Sequence, residues 1–294
     1  MSFPNDYIAV DWGTTNRRAY RITGGERVAD FEDDEGVTAV AADQFAAAVA
    51  EIRARLGDVP VLMAGMIGSD RGWREAAYVP CPATPQALAE SILWVEPGRT
   101  GIIPGVRQDG AAGADVMRGE EVQVFGAAAA GQLHADALIC HPGTHAKWIV
   151  LTGGAIAVFR TMMTGEMFGL LSRHSILSPQ LTGSACPEDA FIAGVDEAFA
   201  GAELLSALFR IRAGERLNQA VCDPTSYASG LLIGCDVREG LAPAGSHGNQ
   251  VTLIGRPALT ALYAAAINRA GVTTRSIDGA AAFVAGVRLL VDRL

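Results

Sequence analysis

Two stretches of this chain share one local plan, and that repeat limits the folds open to it. Residues 7–16 read YIAVDWGTTN and residues 137–146 read ALICHPGTHA. Each is an apolar run, a polar residue, one further residue, Gly-Thr and another polar residue. A second strand-like run follows in both places, Arg17–Ile22 and Lys147–Leu151. Then come Gly24-Gly25 and Gly153-Gly154, each leading into a third strand-like run, Arg27–Phe31 and Ala155–Phe159. Identity outside Gly13-Thr14 and Gly143-Thr144 is slight, so the matched context carries the suggestion of duplication.

Such turns suit phosphate. Glycine lacks a Cβ, so backbone N–H groups can converge on an anion at close range. The hydroxyls of Thr14, Thr15 and Thr144 add donors. Asp11, two positions before Gly13, can hold Mg²⁺ through water, because that ion keeps much of its hydration shell. Lys147, on the strand leaving the second turn, could reach phosphate or form a structural ion pair. His141 and His145 are four apart, but zinc ligation at that spacing needs a helix, and Pro142-Gly143 prevents one. His145 is therefore expected to bond phosphate or to fix the turn. Either turn alone could be an ordinary hairpin; as a pair they point to a polyphosphate.

The 294 residues suggest two domains. A net charge of −9 with no long basic run argues against nucleic acid and anionic membrane as partners. Five cysteines with no Cys-x-x-Cys pair suggest reduced thiols. No signal-like N-terminus and no apolar run of about 20 residues is present, so a cytoplasmic location is expected. Oligomeric state is not legible, and a homodimer is allowed.

Periodicity predicts a helix over Gln44–Leu56, with Phe45, Val49, Ile52 and Leu56 on one face. A buried strand, Val59–Ala64, opens into a long loop, Gly65–Pro82; a helix over Gln86–Leu93 and a strand over Thr100–Ile103 follow. A Gly-rich loop over Gly105–Gly113 separates the halves, giving domains of 1–110 and 111–294. The second half should hold a helix over Asp115–Ala130, then helical segments over Glu166–Ile176, Glu188–Arg212, where a break is allowed, and Tyr227–Val237. Strand Val251–Ile254, helix Pro257–Ala270 and a helix from Gly279 complete it; that last helix could pack back on the first lobe.

Asp11–Asn16 resembles the first phosphate motif of the actin, hexokinase and Hsp70 superfamily. The whole chain is similar to the 2-dehydro-3-deoxygalactonokinase family in five segments, in order: Val10–Asn16, Ala64–Trp73, Asp115–Glu121, Pro142–Trp148 and Ser229–Gly234. The resemblance implies an α/β protein of two RNase H-like, actin-like ATPase lobes with a nucleotide cleft between them. It further implies an ATP- and Mg²⁺-dependent kinase of D-galactonate catabolism that phosphorylates the 6-hydroxyl of 2-dehydro-3-deoxy-D-galactonate. A kinase for a neighbouring acid such as 2-dehydro-3-deoxygluconate, or a non-catalytic ATP-binding sensor, is the alternative. The sequence departs from the family pattern at Arg17, where a small or aliphatic residue is expected, and at Ala146, where Ser is expected.

Phosphoryl transfer demands alignment and charge neutralisation, plus one carboxylate to orient the acceptor hydroxyl and take its proton. Asp115 is the first candidate. It is expected at a helix start, just upstream of the second turn, the order in which related sugar kinases carry their catalytic Asp; capping its own helix is the other reading. Asp70, in the long loop, is second, and could be a solvated loop acid. An acidic acceptor calls for arginine. Arg71, beside Ser69 and Trp73, is the foremost candidate, with Arg18, Arg74 and Arg118 as further options; surface ion pairing would explain any one of them. Gly230 and Gly234, four apart on a helix, could either admit a nucleoside or pack against another helix. Gly255, between a strand and a helix, suits a nucleoside lying on backbone.

Overall fold

Tyr7–Val10 is apolar at every position, and the strand it forms is buried on both faces. The computed structural model describes residues 3–109, 113–242 and 249–294. The chain divides into two compact units. The first comprises Met1–Ala135, Leu151–Val158 and Gly279–Leu294; the second comprises Asp136–Val150 and Phe159–Asp278.

In the first unit, β1 (Asp6–Trp12), β2 (Arg17–Thr23) and β3 (Glu26–Asp33) form an antiparallel meander. Helix α1 (Phe45–Leu56) buries Phe45, Val49 and Ile52, the face its periodicity predicts. Next, β4 (Val61–Gly65) runs parallel to β1 with Trp12 opposite Gly65. A short strand β5 (Tyr78–Pro80) is followed by α2 (Pro85–Glu90), which Thr84 caps by accepting from Ala87 N–H. The helix predicted to reach Leu93 stops early, because Leu93 begins β6 (Leu93–Glu96), which pairs antiparallel with β7 (Thr100–Ile102). The sheet order is β3-β2-β1-β4-β7-β6.

The expected loop over Gly105–Gly113 begins instead as β8 (Gly105–Gln108), which pairs antiparallel with β9 (Asp115–Met117). The predicted helix over Asp115–Ala130 is thus cut short. Gly119 takes φ 105°, a value no helix accommodates, and only then does α3 (Glu120–Ala129) start. Asp115 is therefore a strand residue.

In the second unit, β10 (Ala137–His141), β11 (Ala146–Thr152) and β12 (Ala155–Met162) repeat the opening pattern. Four helices follow among the described residues: α4 (Thr164–His174), α5 (Asp189–Phe199), α6 (Leu204–Arg216) and α7 (Pro224–Leu241). The helical stretch expected over Glu188–Arg212 does contain the break allowed for it, and forms the pair α5 and α6. Strand β13 (Gln250–Gly255) runs parallel to β10, and α8 (Pro257–Arg269) leads to β14 (Thr273–Asp278), parallel to β13. The order β12-β11-β10-β13-β14 copies β3-β2-β1-β4-β7 of the first sheet, so the duplication faint in the residues is plain in the topology. Strand β14 is largely exposed and polar, which is why apolar periodicity gave no sign of it.

The C-terminal helix α9 (Gly279–Val291) packs on α3, and both lie in the first unit. The sequence boundary at 110/111 lies outside the described residues. Placing α3 in the second lobe is at odds with this division, because an apolar helix joins whichever core covers its face. No helix among the described residues is long and apolar enough to cross a membrane.

Candidate functional site

The first turn is held from behind. Gly13 N–H donates to Asn16 O at 2.9 Å, and Val37 N–H donates to Gly13 O at 3.0 Å. Thr38 bonds Thr14 O through both its N–H, at 3.2 Å, and its hydroxyl, at 2.8 Å. Carbonyls of the turn are thus tied to residues 36–38. Among the described residues, the N–H groups of Thr14 and Thr15 and the Thr14 hydroxyl donate to no protein acceptor, and both threonines are exposed. A turn with its carbonyls tied back and its donors outward is suited to an anion.

Arg17 explains how this brace is held. It is fully buried, bonds Asp33 through Nε at 3.1 Å and Nη2 at 2.7 Å, and reaches Glu35 at 2.9 Å. Its guanidinium lies over the Trp12 and Phe31 rings at 5.1 and 5.6 Å. The departure from the family pattern here is a buried guanidinium paired with two acids that are more exposed, and it secures the chain behind the turn. Asp11, half-buried, has Arg18 at 3.8 Å, and Arg18 also pairs with Glu32 at 3.1 Å. Arg18 therefore belongs to the Asp11 neighbourhood.

The second turn has the same exposure pattern: Gly143 half-buried, Thr144 and His145 exposed. It too is braced from one side, by α4. Glu166 N–H donates to Thr144 O at 2.9 Å, and the Glu166 carboxylate meets His145 Nε2 at 2.5 Å. Lys147 is buried and its Nζ donates to His145 O at 2.8 Å, so it supports the turn's backbone. Ala146 is fully buried in the core of this unit; a serine hydroxyl there would need a partner. Gly255 lies beside the turn, its missing Cβ position 3.6 Å from Pro142 O.

Gly230 and Gly234 have a different task. A Cβ on Gly230 would stand 2.1 Å from Phe191 O, and one on Gly234 would stand 2.7 Å from the Ala198 Cβ. Both face α5, which packs against α7 along this line. The helix-packing reading holds, and a nucleoside has no room on that face.

The long loop after β4 starts with a single 3₁₀ turn, Met66–Gly68. Ser69 is buried; its hydroxyl donates to Met66 O at 2.7 Å and accepts from Arg71 N–H at 3.2 Å. Trp73 is half-buried against the first core, and its N–H donates to Ile67 O at 2.9 Å. Ser69 and Trp73 thus shape the loop, whereas Asp70, Arg71 and Arg74 are exposed. Arg118 Nη2 donates to Ala76 O at 2.6 Å and its guanidinium lies 4.0 Å from the Tyr78 ring centre. That bond joins the loop to the segment carrying Asp115.

Asp115 is half-buried, and its Oδ1 accepts from Val116 N–H at 2.8 Å. Four residues on, Gly119 lies against Gly65, its missing Cβ position 3.3 Å from Gly65 Cα. Gly65 is the register partner of Trp12, next to Gly13. The first turn, the loop after β4 and the junction at Arg118-Gly119, which follows the Asp115 strand, therefore gather at one end of the first sheet.

Two buried acids escape sequence reading. Glu121 is fully buried, and both carboxylate oxygens accept from Gly119 N–H at 2.8 Å. Burial, then the neighbouring Glu120 charge, push its pKa up to about 8 against the pull of the Gly119 bond. Asp236 is also buried, and burial raises its pKa while three donors oppose the rise. A single acid within the small and apolar run of α7 was the one available sign of Asp236.

A repeated sheet of this order, with a Gly-Thr turn after the first strand of each copy, is the fold of the actin-like ATPases and sugar kinases. An activator of 2-hydroxyisocaproyl-CoA dehydratase from Clostridium difficile shares it, with a TM-score of 0.51 at 12% identity over 98% of this chain and 94% of that one. The chain matches the profile of the 2-keto-3-deoxy-galactonokinase family over residues 11–290, and it belongs to that family. It is 36% identical to 2-dehydro-3-deoxygalactonokinase of Escherichia coli (strain K12) over 96% of each chain. A crystal structure from Sinorhizobium meliloti, of a protein proposed to have the same activity, superposes with a TM-score of 0.89 at 34% identity, over 97% of each chain.

Proposed function

We propose that this protein transfers the γ-phosphoryl group of ATP to the 6-hydroxyl of 2-dehydro-3-deoxy-D-galactonate, with Asp115 as the group that orients that hydroxyl and takes its proton. What supports this reading is that the Gly13-Thr14 turn, the loop after β4 and the junction at Arg118-Gly119, just downstream of Asp115, gather at one end of the first sheet. A base for the acceptor hydroxyl, a phosphate grip and an acceptor loop must meet for in-line transfer. The family membership supports the acceptor.

Both Gly-Thr turns serve the ATP phosphates in this reading. Thr14, Thr15, Thr144 and His145 offer donors, and Gly255 offers backbone to the nucleoside. No group of three or more His, Cys, Asp or Glu residues suited to a metal occurs among the described residues. That fits Mg²⁺ held mainly by phosphate and water with Asp11 as its protein anchor, where it would neutralise phosphate charge. Lys147 acts through the backbone it holds.

Arg71 is the proposed partner of the acceptor carboxylate, being exposed at the tip of a loop that Ser69, Trp73 and Arg118 hold in place. Arg71→Ala is expected to raise the acceptor KM about tenfold or more while the KM for ATP stays within a factor of two, as fits a lost charge-assisted bond. An unchanged acceptor KM removes Arg71 from the site. The overall reading is tested by coupled ADP release across keto-deoxy sugar acids and plain hexoses. Activity confined to the galactonate-series acid supports it; a preference for the gluconate-series epimer, or no turnover with any acid, overturns it.

A further inference from the structure

The second turn rests on α4, and α4 is itself tied to a buried carboxylate. Asp236 lies in α7, 4% exposed. Its Oδ1 accepts from Trp148 Nε1 at 2.6 Å, and its Oδ2 accepts from the Tyr263 hydroxyl at 2.5 Å and from the Thr164 hydroxyl. These donors come from different elements: Trp148 from the strand leaving the turn, Thr164 from the first residue of α4, and Tyr263 from α8. The next residue after Thr164 is Gly165, whose missing Cβ position is 2.4 Å from Gly143 O. Only a glycine lets α4 come so close to the turn. Glu166 then takes hold of Thr144 and His145.

We infer that Asp236 is a positioning residue for ATP, acting through Thr164 to set α4 against the Gly143-Thr144 turn. A buried carboxylate held only by neutral donors contributes little net stability compared with apolar packing. What it does impose is geometry, since three donors meeting on two oxygens allow one arrangement of their elements. Asparagine cannot replace it: one of its two faces would present an NH₂ group to a donor. The inference rests on the second turn holding ATP phosphates, as proposed above.

Thr164→Val removes one hydroxyl and nearly preserves shape, which makes it the direct test. ATP binding in the presence of Mg²⁺ is measured by calorimetry on the full chain, beside thermal unfolding and amide exchange over residues 163–167. Thr164→Val is expected to weaken ATP binding about tenfold and to speed exchange at Glu166, with the acceptor KM unchanged. Thr164→Ser, which restores the hydroxyl, is expected to bind ATP within a factor of two of the parent. Tyr263→Phe leaves the Thr164 bond intact, so it should lower Tm with less than a threefold loss of ATP affinity. If Thr164→Val does not fold, Thr164→Ala serves in its place with the same expected tenfold loss. A folded Thr164 variant that binds ATP like the parent, or a Tyr263→Phe variant that loses as much affinity as Thr164→Val, overturns the inference. Failure of the unsubstituted protein to bind ATP would instead sink the proposed function.

Discussion

Asp115→Asn is expected to lower kcat by about 10²–10⁴-fold while leaving the KM for ATP nearly unchanged. Asparagine keeps an Oδ1, so the bond from Val116 N–H that seats this side chain survives. What it loses is the ability to take a proton from the acceptor hydroxyl. Because Asp115 opens a strand, the rival reading, that it merely caps a helix, has no structural support. Steady-state kinetics on the purified variant, with thermal unfolding to show that it is folded, make the test. Turnover within a factor of about three of the parent would remove Asp115 as the base. Asp70 is then the next carboxylate to examine, being exposed on the loop after β4.

Glu121→Gln should remove much of a pH dependence of stability. With its pKa lifted from 4.5 to about 8 in the fold, Glu121 stays protonated in the native state when the unfolded chain has already ionised. The sign follows from proton counting. Above pH 4.5 the native state binds more protons than the unfolded state, so stability falls as pH rises. The contribution is fully present below 4.5, and it is lost by the time pH passes about 8. A shift of this size corresponds to roughly 3–5 kcal/mol. Glutamine mimics the protonated acid, keeps an oxygen for Gly119 N–H and does not titrate. Urea unfolding at pH 5 and pH 8.5 should therefore show two proteins of similar stability at the lower pH and a clear advantage for Glu121→Gln at the higher. Parallel behaviour at both pH values would mean that Glu121 is ionised in the fold. The residue also bears on the site, since its bond to Gly119 holds the junction between the Asp115 strand and α3.

Local signals in the sequence reached as far as local physics does. The Gly-Thr turns were legible because the same strand, turn and strand context occurs twice. The face of α1 and the start of α8 at Pro257 were legible from period and proline. The segment from Asp115 misled for the same reason. Pairing with β8, which lies outside the segment, draws Asp115–Met117 into a strand, and Gly119 within it delays the helix to Glu120. Strand β14 was silent because an exposed edge strand needs no apolar alternation. Gly230 and Gly234 were ambiguous because a glycine pair on a helix reads alike whether the approaching group is a nucleoside or another helix; α5 fills the space.

The paired Gly-Thr turns, their flanking strands and the family pattern were therefore determined by the sequence alone, since each depends on residues adjacent in the chain. Tertiary structure alone decided which partners those turns acquire. It gave the first turn its brace through buried Arg17, and gave the second its brace through α4. It drew α3 into the first unit, buried Glu121 beyond reach of solvent, and brought three donors onto Asp236. The physical reason is common to all of these: burial and hydrogen-bond partnership depend on residues distant in the chain, and no local pattern encodes which distant residue arrives.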